Sequence, residues 1–310
     1  MSATPYLLRT PMGRGRWRAL LAMAALPLLA GACAGAGPTT NAITAPGAST
    51  ASAQPVLHES TDSTIGISNT SLGYTFDSNV TTLPANQEFQ FRILGPDGTP
   101  QTSFLWDQTK LLHLLAIRSD FTNFAHVHPT LAPSGTWTVR LPLNQAGPYQ
   151  VYVDFLLKDA QGQARHLVMR RPLTVPGSYQ LSPIMPAPSM TAKGDGYDVT
   201  FLKAPKGWTV MLLPARVTRD DGTPVSNLEP YLAVFAHFTA FKASNDLYGH
   251  AHPLEYAGAG REGWPPLNNL RGGPTLTFHA EFPGSGDYRA FVEFQIAGQL
   301  HVASFTLHVN

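Results

Sequence analysis

From about residue 62 onward the chain is written in short apolar, aromatic and β-branched runs. "EFQFRIL" (88–94), "KLLHLLAI" (110–117), "TWTVRLPL" (136–143), "YQVYVDFLL" (149–157) and "HLVMRRPLTV" (166–175) each have the length and composition of a strand. Turn-forming "GPDG", "APSG" and "DAQGQ" punctuate them. The 27 glycines and 27 prolines among 310 residues favour many short strands joined by turns over long helices.

The pattern occurs twice. "DGTP" at 97–100 returns at 221–224, and the same offset of 124 residues carries His113 to His237, His126 to His250, His128 to His252 and Pro129 to Pro253. Over the 33 ungapped positions from 97 to 129 only nine residues are identical, and three of these are the histidines. Duplication explains why the copies resemble each other; it does not explain why drift spared the imidazoles. "GPYQVYVDF" (147–155) answers "GDYRAFVEF" (286–294), the longer offset reflecting a Gly- and Pro-rich insertion, "LEYAGAGREGWPPLNNLRGG", in the second copy. Gly147-x-Tyr149 and Gly286-x-Tyr288 match the tyrosine corner of immunoglobulin-like sandwiches. The expected fold is all-β: two tandem immunoglobulin-like antiparallel β-sandwiches, residues 62–177 and 190–310, joined by a Pro-rich linker at 178–189.

Charge narrows the partners. Charged residues make up 13% and the formal net charge is +1, which leaves no basic stripe for nucleic acid. At the N-terminus Arg9, Arg14, Arg16 and Arg18 precede the apolar "ALLAMAALPLLA" (19–30), the layout of an export signal and too short for a permanent span. "AGAC" then ends at Cys33, the single cysteine, and resembles a bacterial lipobox, although Ala30 stands where a branched residue is usual. Residues 1–33 are therefore expected to be a signal peptide with a lipidation site at Cys33, and ordinary small-residue cleavage is the alternative. Residues 34–61 read as a flexible tether, because Ala, Gly, Ser, Thr and Pro bury too little to offset their ordering entropy. The expected location is extracytoplasmic, in the cell envelope or periplasm, with the membrane as a partner through the lipid.

The histidines supply the candidate chemistry. Residues i and i+2 on a strand share a face, so His126 and His128 point the same way. A hairpin centred near 119–121 brings His113 opposite one of them, and three imidazoles at that spacing can meet at one metal ion. His237, His250 and His252 form the equivalent set. Asp154 and Glu293 interrupt otherwise apolar strands, and His166 and His301 follow them at even spacings across turn-like segments. In both copies a carboxylate is thus expected to face an imidazole across a hairpin, as a further ligand or as its support.

With no cysteine inside the repeats a blue-copper site is excluded, and the scattered Met169, Met185, Met190 and Met211 disfavour Cu(I), which leaves Cu(II) or Zn(II). A two-domain cupin enzyme is the first rival; Glu255 suits it, but Thr130, Leu131 and Ala132 occupy the equivalent stretch of the first copy. A non-catalytic envelope interaction module, with structural histidines cross-linking strands, is the second.

The arrangement H-x12-H-x-H-P, followed by G-x-Y and a strand bearing Asp or Glu before Phe, resembles secreted bacterial proteins of the YtkA/FixH-like, heavy-metal-associated β-sandwich type. That resemblance implies a β-sandwich fold, an envelope location, and metal handling together with an envelope metal-handling partner. The likeness to copper-resistance CopC sandwiches is one of kind alone, since their Met-rich segment and N-terminal histidine are missing here.

Overall fold

The computed structural model describes residues 65–182, 185–251, 253 and 270–310, excepting the side chain of His250. The expected signal peptide, Cys33 and the 34–61 tether lie outside the described residues, as do His252 and residues 254–269 of the insertion.

The first copy contains β1 (Thr70–Ser71), β2 (Tyr74–Asp77), β3 (Glu88–Leu94), β4 (His113–Arg118), β5 (Phe124–Val127), β6 (Thr130–Leu131), β7 (Thr136–Arg140), β8 (Gly147–Lys158) and β9 (Ala164–Val175). The second contains β10 (Thr191–Gly194), β11 (Tyr197–Phe201), β12 (Met211–Arg219), β13 (His237–Lys242), β14 (Tyr248–Ala251), β15 (Thr275–Ala280), β16 (Gly286–Ile296) and β17 (Gln299–Val309). The sheets run β1-β2-β3-β7-β6 and β5-β4-β8-β9 in one copy, and β10-β11-β12-β15 and β14-β13-β16-β17 in the other. All ladder pairings between these strands are antiparallel, both in the hairpins and between strands distant in sequence such as β4 and β8. No helix among the described residues is long and apolar enough to cross a membrane.

Each sandwich closes on its own core. Phe89, Trp137, Tyr149 and Phe155 are buried in the first, and Phe201, Phe238, Phe278 and Tyr288 in the second. The expected tyrosine corners are present: Tyr149 Oη donates to the Gln145 carbonyl and Tyr288 Oη to the Gly284 carbonyl, both at 2.8 Å. The glycine of each G-x-Y has a φ that side chains rarely adopt, 129° at Gly147 and 124° at Gly286.

A third cluster lies between the copies. Leu115, Ile117, Tyr152 and Val168 of the first meet Phe241, Tyr248 and Phe291 of the second. β3 alternates exposed and buried residues because its outer face meets solvent, whereas β4 is buried at every position. Burial on both faces is why "HLLAI" reads as a continuous apolar run. Phe124 stacks on Phe291 with centroids 4.2 Å apart, and Tyr248 stacks on Tyr152 at 5.4 Å. Tyr248 is the repeat counterpart of Phe124, and Phe291 of Tyr152, so one contact is made twice in opposite senses. The 178–189 segment is pinned where it begins: Arg118 Nη2 donates to the Gln180 carbonyl and the Ser182 amide to Asp120 Oδ2.

Candidate metal centre

The β4–β5 register pairs Leu115 with His126 and Leu114 with Val127. Leu114 and Ala116 enter the first core, so the opposite side chains, His113, Leu115 and Ile117, face the second sandwich. His126 belongs to that same face. The expected convergence is present: each of His113, His126 and His128 offers a ring nitrogen, and these three atoms lie within 4.8 Å of one another. Ring centroids are separated by 5.3 Å for His113–His126, 4.9 Å for His113–His128 and 4.8 Å for His126–His128.

Hydrogen bonds orient these rings. His126 Nδ1 lies 2.6 Å from Glu293 Oε2, and a carboxylate only accepts, so Nδ1 carries the hydrogen. His113 Nε2 lies 3.3 Å from the Asp107 carbonyl and donates to it. The two remaining nitrogens, His126 Nε2 and His113 Nδ1, sit 3.0 Å apart. With the outer nitrogens protonated, both inner ones present lone pairs and their approach calls for a proton or a cation between them; with the hydrogen of His113 on Nδ1 instead, the contact is an ordinary hydrogen bond to His126 Nε2. Nitrogens bound to one tetrahedral metal at 2.0–2.1 Å lie about 3.3 Å apart, close to the observed spacing.

The second copy enters the same cluster. His237 is fully buried, its ring centroid 5.4 Å from that of His126 and 6.1 Å from that of His113. Its Nε2 donates to the Tyr231 carbonyl at 3.3 Å. Burial and the nearby Glu293 charge push the Tyr231 hydroxyl up to about 12, so it stays protonated near neutral pH. His237 and Glu293 are register partners on β13 and β16.

Asp154, the register partner of His113, carries a neighbouring network. His166 Nε2 bonds Asp154 Oδ1 at 2.6 Å, confirming the carboxylate and imidazole expected to face each other across the β8–β9 hairpin. Burial pulls the His166 pKa down, but the charge and hydrogen bond of Asp154 outweigh it and the net shift is upward. Tyr248 of the second copy donates to Asp154 Oδ2 at 2.9 Å. Burial, then the Asp154 charge, holds that hydroxyl well above its ordinary range, so it remains a donor.

The equivalent expectation for Glu293 and His301 is corrected. The register pairs Glu293 with Val302 and Phe294 with His301, which puts the carboxylate and the imidazole on opposite faces of the sheet. The physical reason is the loop. Ile296 pairs with Gln299, leaving the two residues Ala297 and Gly298, both at positive φ, where "AGQ" suggested three. One residue of register exchanges the faces. His301 instead stacks on Phe294, centroids 5.5 Å apart, and meets the edge of Tyr197. Glu293 serves His126 of the other copy rather than an imidazole across its own hairpin.

His250 lies on β14 with its backbone opposite Thr239, and its side chain, like His252, lies outside the described residues. Sequence reasoning missed Tyr248 and the carbonyls of Asp107 and Tyr231. Tyr248 carried a signal, a hydroxyl gained where the other copy has Phe124; the carbonyls had none, because backbone groups leave no mark in the sequence.

Among solved structures, the chain is similar to a tetra-tandem repeat from the extending region of a large adhesion protein (11% identity, 76% of this chain and 48% of that chain, TM-score 0.22). It is also similar to a chimeric titin Z1Z2 tandem (12%, 76% and 99%, TM-score 0.19) and to domains 5–6 of the S-layer protein SbsC (10%, 76% and 96%, TM-score 0.20). The chain thus spans about half the length of the adhesion-protein repeats. No curated protein matches it in sequence. A family model matches residues 69–170 and 191–310, one segment in each copy, and the chain belongs to that family, described as a domain of unknown function (DUF8832).

Proposed function

We propose that this protein binds a divalent transition metal, Zn(II) or Cu(II), through His113, His126 and His128, and that it stores, delivers or senses the metal in the cell envelope. The observation that carries the reading is the 3.0 Å approach of His113 Nδ1 to His126 Nε2, with the opposite nitrogens engaged by the Asp107 carbonyl and Glu293. A carboxylate behind a ligating imidazole, fixing its tautomer and raising its basicity, is the usual support of a metal-bound histidine. Burial of His113 and His126 favours a closed site over one that keeps an open position for substrate, which supports carriage. The basic and apolar N-terminus ending at Cys33 supports export with a lipid anchor, and the resemblance to heavy-metal-associated sandwiches points the same way.

The metal-free alternative is also built from these atoms. A proton between His126 and His113 completes a chain from Glu293 to the Asp107 carbonyl and makes the histidines a structural cross-link. Calorimetric titration of the chelator-stripped chain with Zn(II) and with Cu(II) separates the two. Metal binding predicts saturable uptake that is lost in His126→Ala, whereas no heat of binding for either ion supports the cross-link.

A further inference from the structure

We infer that His237 of the second copy is the fourth ligand of the same metal ion, so that one site of four imidazoles is shared between the two sandwiches. This rests on the proposed metal binding by His113, His126 and His128.

Spacing is the first argument. An imidazole whose nitrogen lies 2.0–2.1 Å from a metal has its ring centroid about 3.2 Å away, and four such rings arranged tetrahedrally have centroids about 5.2 Å apart. The ring-centroid separations are 4.8, 4.9 and 5.3 Å among His113, His126 and His128, and 5.4 and 6.1 Å from His237 to His126 and to His113. His237 thus lies at about the distance from His126 that a shared ion sets and about 1 Å beyond it from His113; its nitrogens stand outside the 4.8 Å group of the other three, so its ring turns or shifts to ligate. The three separations among His113, His126 and His128, 4.8 to 5.3 Å, fit corners of a tetrahedron better than of a square, in which one pair would lie about 6.4 Å apart, and this favours Zn(II).

Orientation is the second. His113 and His237 are held in the same way, each donating from Nε2 to a carbonyl six residues earlier at 3.3 Å, which leaves Nδ1 as the remaining ring nitrogen. Both carbonyls belong to a tight turn. Asp107 and Lys110 exchange backbone hydrogen bonds, as do Tyr231 and Val234. The central residues Gln108, Thr109, Leu232 and Ala233 all have positive φ, and none is glycine. The turns read "DQTK" and "YLAV", with no identity, yet both copies hold this unfavourable backbone at the same place. Such strain persists where the surroundings impose it, and here the shared outcome is the direction of one ring nitrogen. An imidazole that only filled space would need no such support.

Charge is the third. Glu293 is nearly fully buried beside His237 on the neighbouring strand and bonds His126 of the other copy. A divalent ion held by four neutral imidazoles brings two positive charges into this interface, and the buried carboxylate of Glu293 compensates part of them. The metal would then tie the two sandwiches together as well as fill a site in one of them.

The test uses the full chain, stripped with chelator and reloaded with Zn(II) alone. Zinc K-edge X-ray absorption counts the imidazoles, and competition with a colorimetric chelator gives affinity. Four imidazoles are expected in the unmutated chain, falling to three in both His237→Ala and His237→Gln, with affinity lowered at least about tenfold. Three or fewer imidazoles in the unmutated chain overturn the inference while leaving the three-histidine reading intact. So does a count of four that neither variant lowers. A chain that retains no zinc overturns both. Should either variant misfold, the count in the unmutated chain still decides.

Discussion

His126 Nδ1 and Glu293 Oε2 lie 2.6 Å apart, although they are 167 positions apart in sequence and belong to different sandwiches. The carboxylate fixes the tautomer of a histidine in the other copy, and so the candidate site belongs to the pair of repeats. Replacing Glu293 with Gln keeps the shape but removes the charge. Metal affinity is expected to fall about 10- to 100-fold while the stoichiometry stays the same, as measured by chelator competition.

Metal should also stabilise the fold. An ion that binds only the folded chain adds about 2.7 kcal/mol when free metal is 100 times its dissociation constant. Calorimetric unfolding is expected to show a higher transition temperature with Zn(II) than with chelator, and no difference in a chain lacking His113, His126 and His128.

The Asp154–His166 pair predicts a pH dependence of defined sign. The His166 pKa is raised above its ordinary value of 6.5, so its ionised pairing stabilises the folded chain fully below about pH 6.5 and fades as pH rises through the raised value. Comparing unmutated protein with His166→Asn by urea unfolding between acid and alkaline pH should give a gap that is widest on the acid side. A gap that grows with pH would contradict the assignment.

Between the copies, Phe291 is buried against Phe124 and Phe241. Phe291→Ala removes a large packed ring and should cost about 3–5 kcal/mol of stability in denaturant unfolding. At the tyrosine corners the loss is smaller: Tyr288→Phe removes one hydrogen bond to the Gly284 carbonyl, worth about 1 kcal/mol.

Much of this was legible from local patterns. Strand period placed His126 and His128 on one face, the repeat marked the three imidazoles, and G-x-Y announced both tyrosine corners. The Asp154–His166 pair followed from an even spacing because five residues, 159–163, separate the paired ends Lys158 and Ala164. The same reasoning failed at His301, where the Ala297–Gly298 loop is one residue shorter than the motif suggested. Nothing local showed that the two histidine-bearing faces pack together. The unbroken apolar runs of β4 and β13 were its only trace, and they read equally well as ordinary core.

The most direct measurement of the central claim is the metal retained per chain. Protein stripped with chelator, loaded with Zn(II) or Cu(II) and passed through gel filtration is assayed by elemental analysis beside a His113→Ala, His126→Ala, His128→Ala variant. Metal binding predicts about one retained ion per chain that disappears in the variant. Near-zero metal in the unmutated protein, or equal retention in both, would contradict it.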